Sequence, residues 1–305
     1  MSSKEARAVI GFEGKVAIVT GAGRGLGRSH ALLLAERGAA VVVNDLGGAL
    51  DGSGGSAEPA EAVAAEIRAS GGRAVADDHD VASAAGAVAI VDSALEHFGQ
   101  IDVVVNNAGV TGGRKSFADL SPDEFAAVLG PHLLGTANVT RAAWPAMASR
   151  GRGRVVNTTS GVGLWGMSHA SAYAAAKMGI VGLTVSLAHE GAEAGIAVNA
   201  VAPIARTRMA DGVFGSLDPH LDPSLVSSVV AYLAHDECTL SGRVLSAGAG
   251  RVAEVFIGTG PGLFDAALTP EELQTHVDRA RDRTAYTVPD SAMAEVALTA
   301  ACHGL

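Results

Sequence analysis

In the run Tyr173-Ala174-Ala175-Ala176-Lys177, a phenol and an ammonium stand at i and i+4, on one face of a helix. A cation beside a phenol favours the phenolate and lowers the tyrosine pKa from its ordinary value of about 10. That tuning suits proton exchange with an alcohol or a carbonyl near neutral pH. Such pairs are common on helix surfaces, but Ser160 lies 13 residues earlier, at the end of an apolar run in Asn157-Thr158-Thr159-Ser160-Gly161. Strand ends at the carboxyl edge of a parallel sheet face the ligand crevice. A second constellation is Thr20-Gly21-Ala22-Gly23-Arg24-Gly25-Leu26-Gly27, with Gly21, Gly25 and Gly27 spaced G-x-x-x-G-x-G rather than strict G-x-G-x-x-G. Between a strand and a helix, such glycines let the backbone approach a pyrophosphate and seat it on the helix N-terminus. Asp45, 20 residues after Gly25, can accept both ribose hydroxyls of an adenosine and would repel a 2′-phosphate. Arg24 acts in the opposite sense, but a fixed charge at a strand end outweighs a flexible one, so the expected cofactor is NAD rather than NADP.

The elements that must position these groups follow from hydrophobic patterning. Nearly continuous apolar runs cover 15–20, 40–44, 73–77, 101–106, 154–159 and 196–201, as in parallel strands covered on both faces. Helix-length, Ala-rich segments alternate with them at 26–37, 58–70, 82–98, 121–150 and 171–191. This alternation predicts an α/β fold with a parallel sheet and right-handed crossovers. Ser121-Pro122-Asp123-Glu124 and Thr269-Pro270-Glu271-Glu272 each carry an N-cap, a proline at the first helical position and a glutamate at the third. The second predicts a helix of about three turns. Residues 47–56 read as a flexible Gly/Ser loop inserted after the second strand, and 211–223 as an Asp/Pro-rich loop.

Together the glycine loop, Asn106-Asn107-Ala108-Gly109, Ser160 and Tyr173-x-x-x-Lys177 resemble the short-chain dehydrogenase/reductase family in order and spacing, over about residues 11–250. The resemblance implies a Rossmann-type doubly wound parallel sheet of about seven strands with helices on both faces. It implies a domain at 1–250 and a short C-terminal extension, 251–305, packed on it. By the same resemblance Tyr173 is the general acid/base, Ser160 holds the substrate oxygen, and Lys177 binds the nicotinamide ribose. Gly21, Arg24, Gly25, Leu26, Gly27, Asp45, Asp80, Val81, Asn107, Ala108 and Gly109 fall where the family holds the dinucleotide. Pro203, Ile204 and Thr207 fall at the carboxamide end, with Pro203-Ile204 replacing the usual Pro-Gly. His132 stands where the family carries a catalytic asparagine. Asn44-Asp45-Leu46-Gly47-Gly48, the insertion after it, His132-Leu133-x-Gly135 and Thr140-Arg141-Ala142-Ala143-Trp144 resemble one branch, the (3R)-hydroxyacyl-CoA dehydrogenase unit of peroxisomal multifunctional enzyme type 2 and its bacterial single-domain relatives. In that branch a histidine at this position is normal. The implied reaction interconverts a (3R)-3-hydroxyacyl-CoA and its 3-ketoacyl-CoA. The alternatives are a 17β-type hydroxysteroid dehydrogenase and a non-catalytic NAD-sensing module.

Composition bounds these readings. The chain has 305 residues, 32 acidic against 22 basic, and a net charge of −10, which disfavours nonspecific nucleic-acid binding. Two cysteines, Cys238 and Cys302, make one bridge at most and point to a reducing, cytoplasmic setting. The N-terminal residues do not resemble a signal peptide, and no run of 18 apolar residues suggests a membrane span. His30, His79, His97, His169, His189 and His235 show no metal-ligand spacing, so no metal site is expected. Cys238, Trp144 and Trp165 read as packing residues, with Trp165 close enough to Ser160 to border a pocket. Arg206 and Arg208 could meet CoA phosphates. The long segments 121–150 and 171–191 suit packing across a two-fold axis, so a homodimer or homotetramer is expected.

Overall fold

Valine, isoleucine and alanine fill both faces of the strands. In β1 (Val16–Thr20), Ala17 and Val19 enter one hydrophobic core while Val16 and Ile18 enter the other. Period-2 alternation of apolar residues on both sides makes a sheet that must be covered twice. The computed structural model describes residues 9–206 and 214–304 of the chain. After β1 come β2 (Ala40–Asn44), β3 (Arg73–Asp77), β4 (Val103–Asn106), β5 (Gly153–Thr158), β6 (Ile196–Pro203) and β7 (Val244–Gly248). Their order is β3-β2-β1-β4-β5-β6-β7, and each neighbouring pair is parallel. Growth of the sheet reverses between β1 and β4, and at such a switch point the crevice opens at the carboxyl edge.

One core packs α1 (Gly25–Glu36), α2 (Glu58–Ala69) and α8 (Pro223–Ala234) on the sheet. The other packs α3 (Ala84–Phe98) and α5 (Gly135–Ser149). The doubly wound architecture implied by the sequence is thus present. Three features differ in detail. The segment 121–150 is not one helix but α4 (Pro122–Leu129), a π-helical turn at Gly130–Leu134, and α5. Pro131 has no N–H to donate and its ring crowds the carbonyl four residues back, so the turn widens there. The short α6 (Gly161–Trp165) was not legible as a helix, and neither was α8. An eighth strand, β8 (Arg251–Val255), sits beside β7 at the edge. Ala249 and Gly250 both take positive φ, 49° and 79°, the geometry of a tight hairpin turn.

Helix α7 (Ser171–Gly191) has 21 residues and a mean hydropathy of 1.3 over its best window, long and apolar enough by length and composition to cross a membrane. In this fold it packs on β5 and β6 and buries Ala172, Ala176, Lys177, Ile180 and Thr184. The first compact unit of the chain ends at Glu254 and a second begins at Val255. Within the second, the signature at Thr269 starts α9 (Pro270–Ala280) with a complete capping box to Glu272; its 11 residues match the expected length, but the helix kinks at His276, where φ is −115° and ψ 18°. Ser291 caps α10 (Ala292–Cys302), and the rings of Phe256 and Tyr286 stack 5.4 Å apart.

Two histidines are sealed in the first unit. His30 on α1 meets the Ser227 hydroxyl of α8 at 2.7 Å, and His132 lies in the π turn. Burial lowers both pKa values from 6.5 to about 3. The folded chain therefore keeps both rings neutral, while the unfolded chain protonates them below about pH 6.5. Stability should fall as pH drops from about 6.5 toward 3, by about 1.4 kcal/mol per pH unit for each ring. The change His30→Gln should remove one of these protons. Urea unfolding across this window should show wild type losing about 1.4 kcal/mol more per pH unit than the variant; parallel pH dependences would contradict a sealed, neutral His30.

Candidate active site and dinucleotide crevice

Strand β5 ends at Thr158, and after Thr159 comes Ser160 as the N-cap of α6, its Oγ accepting the Val162 N–H at 3.1 Å. Helix α7 then brings Tyr173 and Lys177 to the same edge. The Lys177 ammonium donates to the Thr158 carbonyl at 2.7 Å, and the Thr159 hydroxyl donates to the Lys177 carbonyl at 2.7 Å. Lys177 is only 3% exposed, and burial lowers its pKa to about 7. Its Nζ lies 5.7 Å from the centre of the Tyr173 ring. The depressed Tyr173 pKa expected from the sequence is not found: burial pushes the phenol above 10, with the Ser160 hydroxyl pulling the other way. The physical reason is desolvation: burial penalises the charged phenolate more than the Ser160 hydroxyl stabilises it.

His132 reaches this site with its side chain. Its Nε2 lies 2.8 Å from the Val110 carbonyl and 3.1 Å from the Val110 N–H. Both backbone groups of Val110 thus meet the ring at Nε2, and the tautomer decides which of the two bonds is made. Burial is the main cause of its lowered pKa, the nearby Lys177 charge adds to it, and the Val110 bond opposes it. The ring stands edge-on to Tyr173, centroids 5.1 Å apart at 86°. Its Nδ1 is buried without a hydrogen-bond partner among the described residues. Gly109 makes room for the ring, since a Cβ there would lie 2.1 Å from His132 Cε1.

The dinucleotide residues line the same edge. Arg24 is the N-cap of α1 but supplies no side-chain cap, so the first-turn amides of Gly25, Leu26 and Gly27 face the crevice without one. A Cβ on Gly27 would meet the Gly21 carbonyl oxygen at 2.2 Å, and one on Gly21 would meet the Ala108 Cα at 2.8 Å. The turn is therefore a bare-backbone cradle, which fits a pyrophosphate. Asn107 staples it, its Nδ2 donating to the carbonyls of Thr20 (3.0 Å) and Gly21 (3.1 Å). Asp45 accepts the N–H of Gly23 at 2.8 Å and of Gly47 at 2.7 Å, which fixes its carboxylate at the end of β2. Arg24 Nη1 reaches the Gly48 carbonyl at 3.4 Å. Asp80 Oδ1 accepts the Ala82 N–H, and Val81 is buried beneath it. Pro203 ends β6, and the Ile204 N–H donates to the Ala247 carbonyl. Thr207 and Arg208 lie outside the described residues. Trp165 ends α6 with 76% of its surface exposed, and Trp144 packs partly buried against a core.

Several groups that hold this edge were not singled out from the sequence. Thr20 Oγ1 accepts the N–H groups of Asn107 and Ala108. Asn106 donates to Thr140 and Asn157, and Asn157 donates in turn to Thr184. Asn138 of α5 donates to the carbonyls of Val81 and Ala82. One signal was available: the apolar runs of β1, β2, β4 and β5 end in Thr20, Asn44, Asn106 and Thr158, all buried by the sheet.

The chain matches the family model described as short chain dehydrogenase over residues 15–214. It is 47% identical over 249 residues to a short-chain type dehydrogenase/reductase of Mycobacterium tuberculosis, covering 80% of this chain and 86% of that protein. It is 44% identical over 245 residues to the peroxisomal hydratase-dehydrogenase-epimerase of Saccharomyces cerevisiae, covering 79% of this chain but 27% of that much longer protein. A short chain dehydrogenase from Mycobacterium avium superposes with a TM-score of 0.78 at 41% identity, covering 90% of this chain and 98% of that one. A 7α-hydroxysteroid dehydrogenase complexed with NADH and 7-oxo glycochenodeoxycholic acid superposes with a TM-score of 0.71 at 28% identity, covering 79% and 95%. With this fold, this edge and these relatives, the chain belongs to the short-chain dehydrogenase/reductase family and is an oxidoreductase acting on CH–OH groups.

Proposed function

We propose that the chain is an NAD-dependent dehydrogenase interconverting (3R)-3-hydroxyacyl-CoA and 3-ketoacyl-CoA. The observation that carries the chemistry is the convergence of Ser160, Tyr173 and Lys177 beside a bare-backbone cradle. The substrate class rests on the relative named hydratase-dehydrogenase-epimerase and on the branch-specific residues around Asp45 and His132. A nicotinamide held at this edge would supply the hydride chemistry, as acceptor in alcohol oxidation and as donor in ketone reduction. Ser160 Oγ holds the substrate oxygen. Tyr173 Oη takes the hydroxyl proton as the carbonyl forms, and gives it back in reduction. Because burial keeps the phenol protonated at neutral pH, the resting site is set to donate a proton, and alcohol oxidation should quicken as pH rises. Lys177, held by the Thr158 carbonyl beside the Tyr173 ring, would bind the nicotinamide ribose. Neutral His132 supports the Tyr173 ring from its edge. The Asp45 carboxylate, fixed by two backbone N–H groups, favours an unphosphorylated adenosine ribose.

Met178 and Val185 on α7 and Leu134 before α5 are exposed apolar side chains, which supports our proposal of a homo-oligomer built on these helices. The acidic composition and the two unbridged cysteines support a cytoplasmic enzyme.

Three outcomes test these readings. With NAD and a medium-chain (3R)-3-hydroxyacyl-CoA, wild type should form NADH, and Tyr173→Phe should lose about 10²–10⁴-fold in kcat while binding NADH within about twofold of wild type. Turnover of a 17β-hydroxysteroid alone would transfer the proposal to steroids, and a variant that kept full turnover would remove Tyr173 from the chemistry. Wild type should bind NADH more tightly than NADPH, and Asp45→Ser should shrink that preference at least about tenfold; a wild-type preference for NADPH would contradict the role of Asp45. In light scattering, Met178→Arg combined with Val185→Arg should shift an oligomer toward monomer, and an unchanged mass would place the interface elsewhere.

A further inference from the structure

The Gly/Ser insertion after β2 is a folded strap rather than a loose loop. Its neck is closed by Ser56 N–H donating to the Leu46 carbonyl at 2.9 Å. Its tip is closed by Ala49 N–H to the Ser53 carbonyl at 2.8 Å and Gly52 N–H to the Ala49 carbonyl at 3.0 Å. The Asp51 carboxylate accepts both the N–H and the hydroxyl of Ser53. This is the compact form of an Ω-loop, with near-touching ends and its own internal bonds. At its base, Gly47 N–H binds Asp45, which also holds Gly23, and the Gly48 carbonyl faces Arg24, so the strap is tied to the middle of the glycine turn.

The tip is tied across the crevice. The Leu50 carbonyl accepts the Thr111 N–H at 2.9 Å and the Thr111 hydroxyl at 3.1 Å. Thr111 follows β4, whereas the strap leaves from β2, and β1 lies between them in the sheet. At strand spacings of about 4.8 Å, the strap therefore bridges roughly 10 Å over the end of β1, where the glycine turn sits. A dinucleotide seated on that turn, with its adenosine ribose at Asp45, lies within the span that the strap crosses.

We propose that residues 46–56 form a third wall of the adenosine half of the dinucleotide site, latched to Thr111, and that release of the dinucleotide requires this latch to open. The inference rests on the nicotinamide-cofactor reading above, and the test separates the two. The probe is NADH, or NADPH if wild type binds only that, and the readout is its dissociation rate by stopped-flow fluorescence, independent of turnover. Deleting Leu50–Gly52 joins Ala49 to Ser53, which the hydrogen bond between them already holds close. The deletion should raise the dissociation rate about tenfold, with a Tm for the ligand-free protein within about 2 °C of wild type, as for a surface change that leaves the core intact. Thr111→Val keeps the N–H bond and loses the hydroxyl bond, and should raise the rate about threefold, the range of a single hydrogen bond. Should the deletion fail to fold, Thr111→Val decides. Unchanged dissociation rates in the folded variants would overturn the latch while leaving the cofactor reading in place. Failure of wild type to bind either dinucleotide would overturn the reading itself, and the latch with it.

Discussion

A lysine ammonium almost removed from water is the constraint around which this site is arranged. Burial disfavours the charged form of Lys177 so strongly that its pKa falls to about 7. The ammonium is tolerable only because the Thr158 carbonyl meets it at 2.7 Å. The Thr159 hydroxyl, from the next residue, takes the Lys177 carbonyl. Two consecutive residues at the end of β5 thus hold both ends of one residue in α7. Since Tyr173 is one helical turn before Lys177, and Ser160 follows Thr159 directly, fixing Lys177 also fixes the Tyr173 phenol and its neighbouring hydroxyl.

The same logic extends along the sheet edge. Strands with continuous apolar runs can carry polar side chains only where these find partners inside the protein. Asn106, Asn157, Thr140 and Thr184 are linked in a hydrogen-bonded ladder that joins β4 and β5 to α5 and α7. Thr20 and Asn107 do the same between β1 and β4, where the glycine turn begins. The crevice is therefore rigid before any ligand arrives, which suits a reaction whose geometry must be held rather than formed. His132 belongs to this framework as well. Val110 meets its Nε2 with both backbone groups, and Thr111, the next residue, anchors the strap.

Much of this was legible from the sequence because the signals are local. The cradle at Gly21–Gly27 follows from glycines placed between an apolar strand and a helix, and Asp45 from its place at the next strand end. Tyr173 and Lys177 share a helix face by spacing alone, and Thr269 announces its helix by a capping pattern within four residues. The α/β layering follows from alternation of apolar runs and Ala-rich segments, which requires no knowledge of distant contacts.

Other properties depend on which residues meet across the fold, and these the sequence could not settle. Whether Tyr173 is held as phenol or phenolate depends on burial, which outweighed the neighbouring cation that i, i+4 spacing suggested. The break between α4 and α5 could be suspected at Pro131, but its consequence, a π turn that aims His132 at Tyr173, required the packed neighbours. The Gly/Ser insertion looked flexible because its composition is, and it became a strap only through hydrogen bonds to Thr111, some sixty residues away. Local chemistry thus determined the fold class and the candidate reacting groups. Tertiary contacts decided their protonation and their enclosure, because desolvation and long-range hydrogen bonds exist only once distant segments meet.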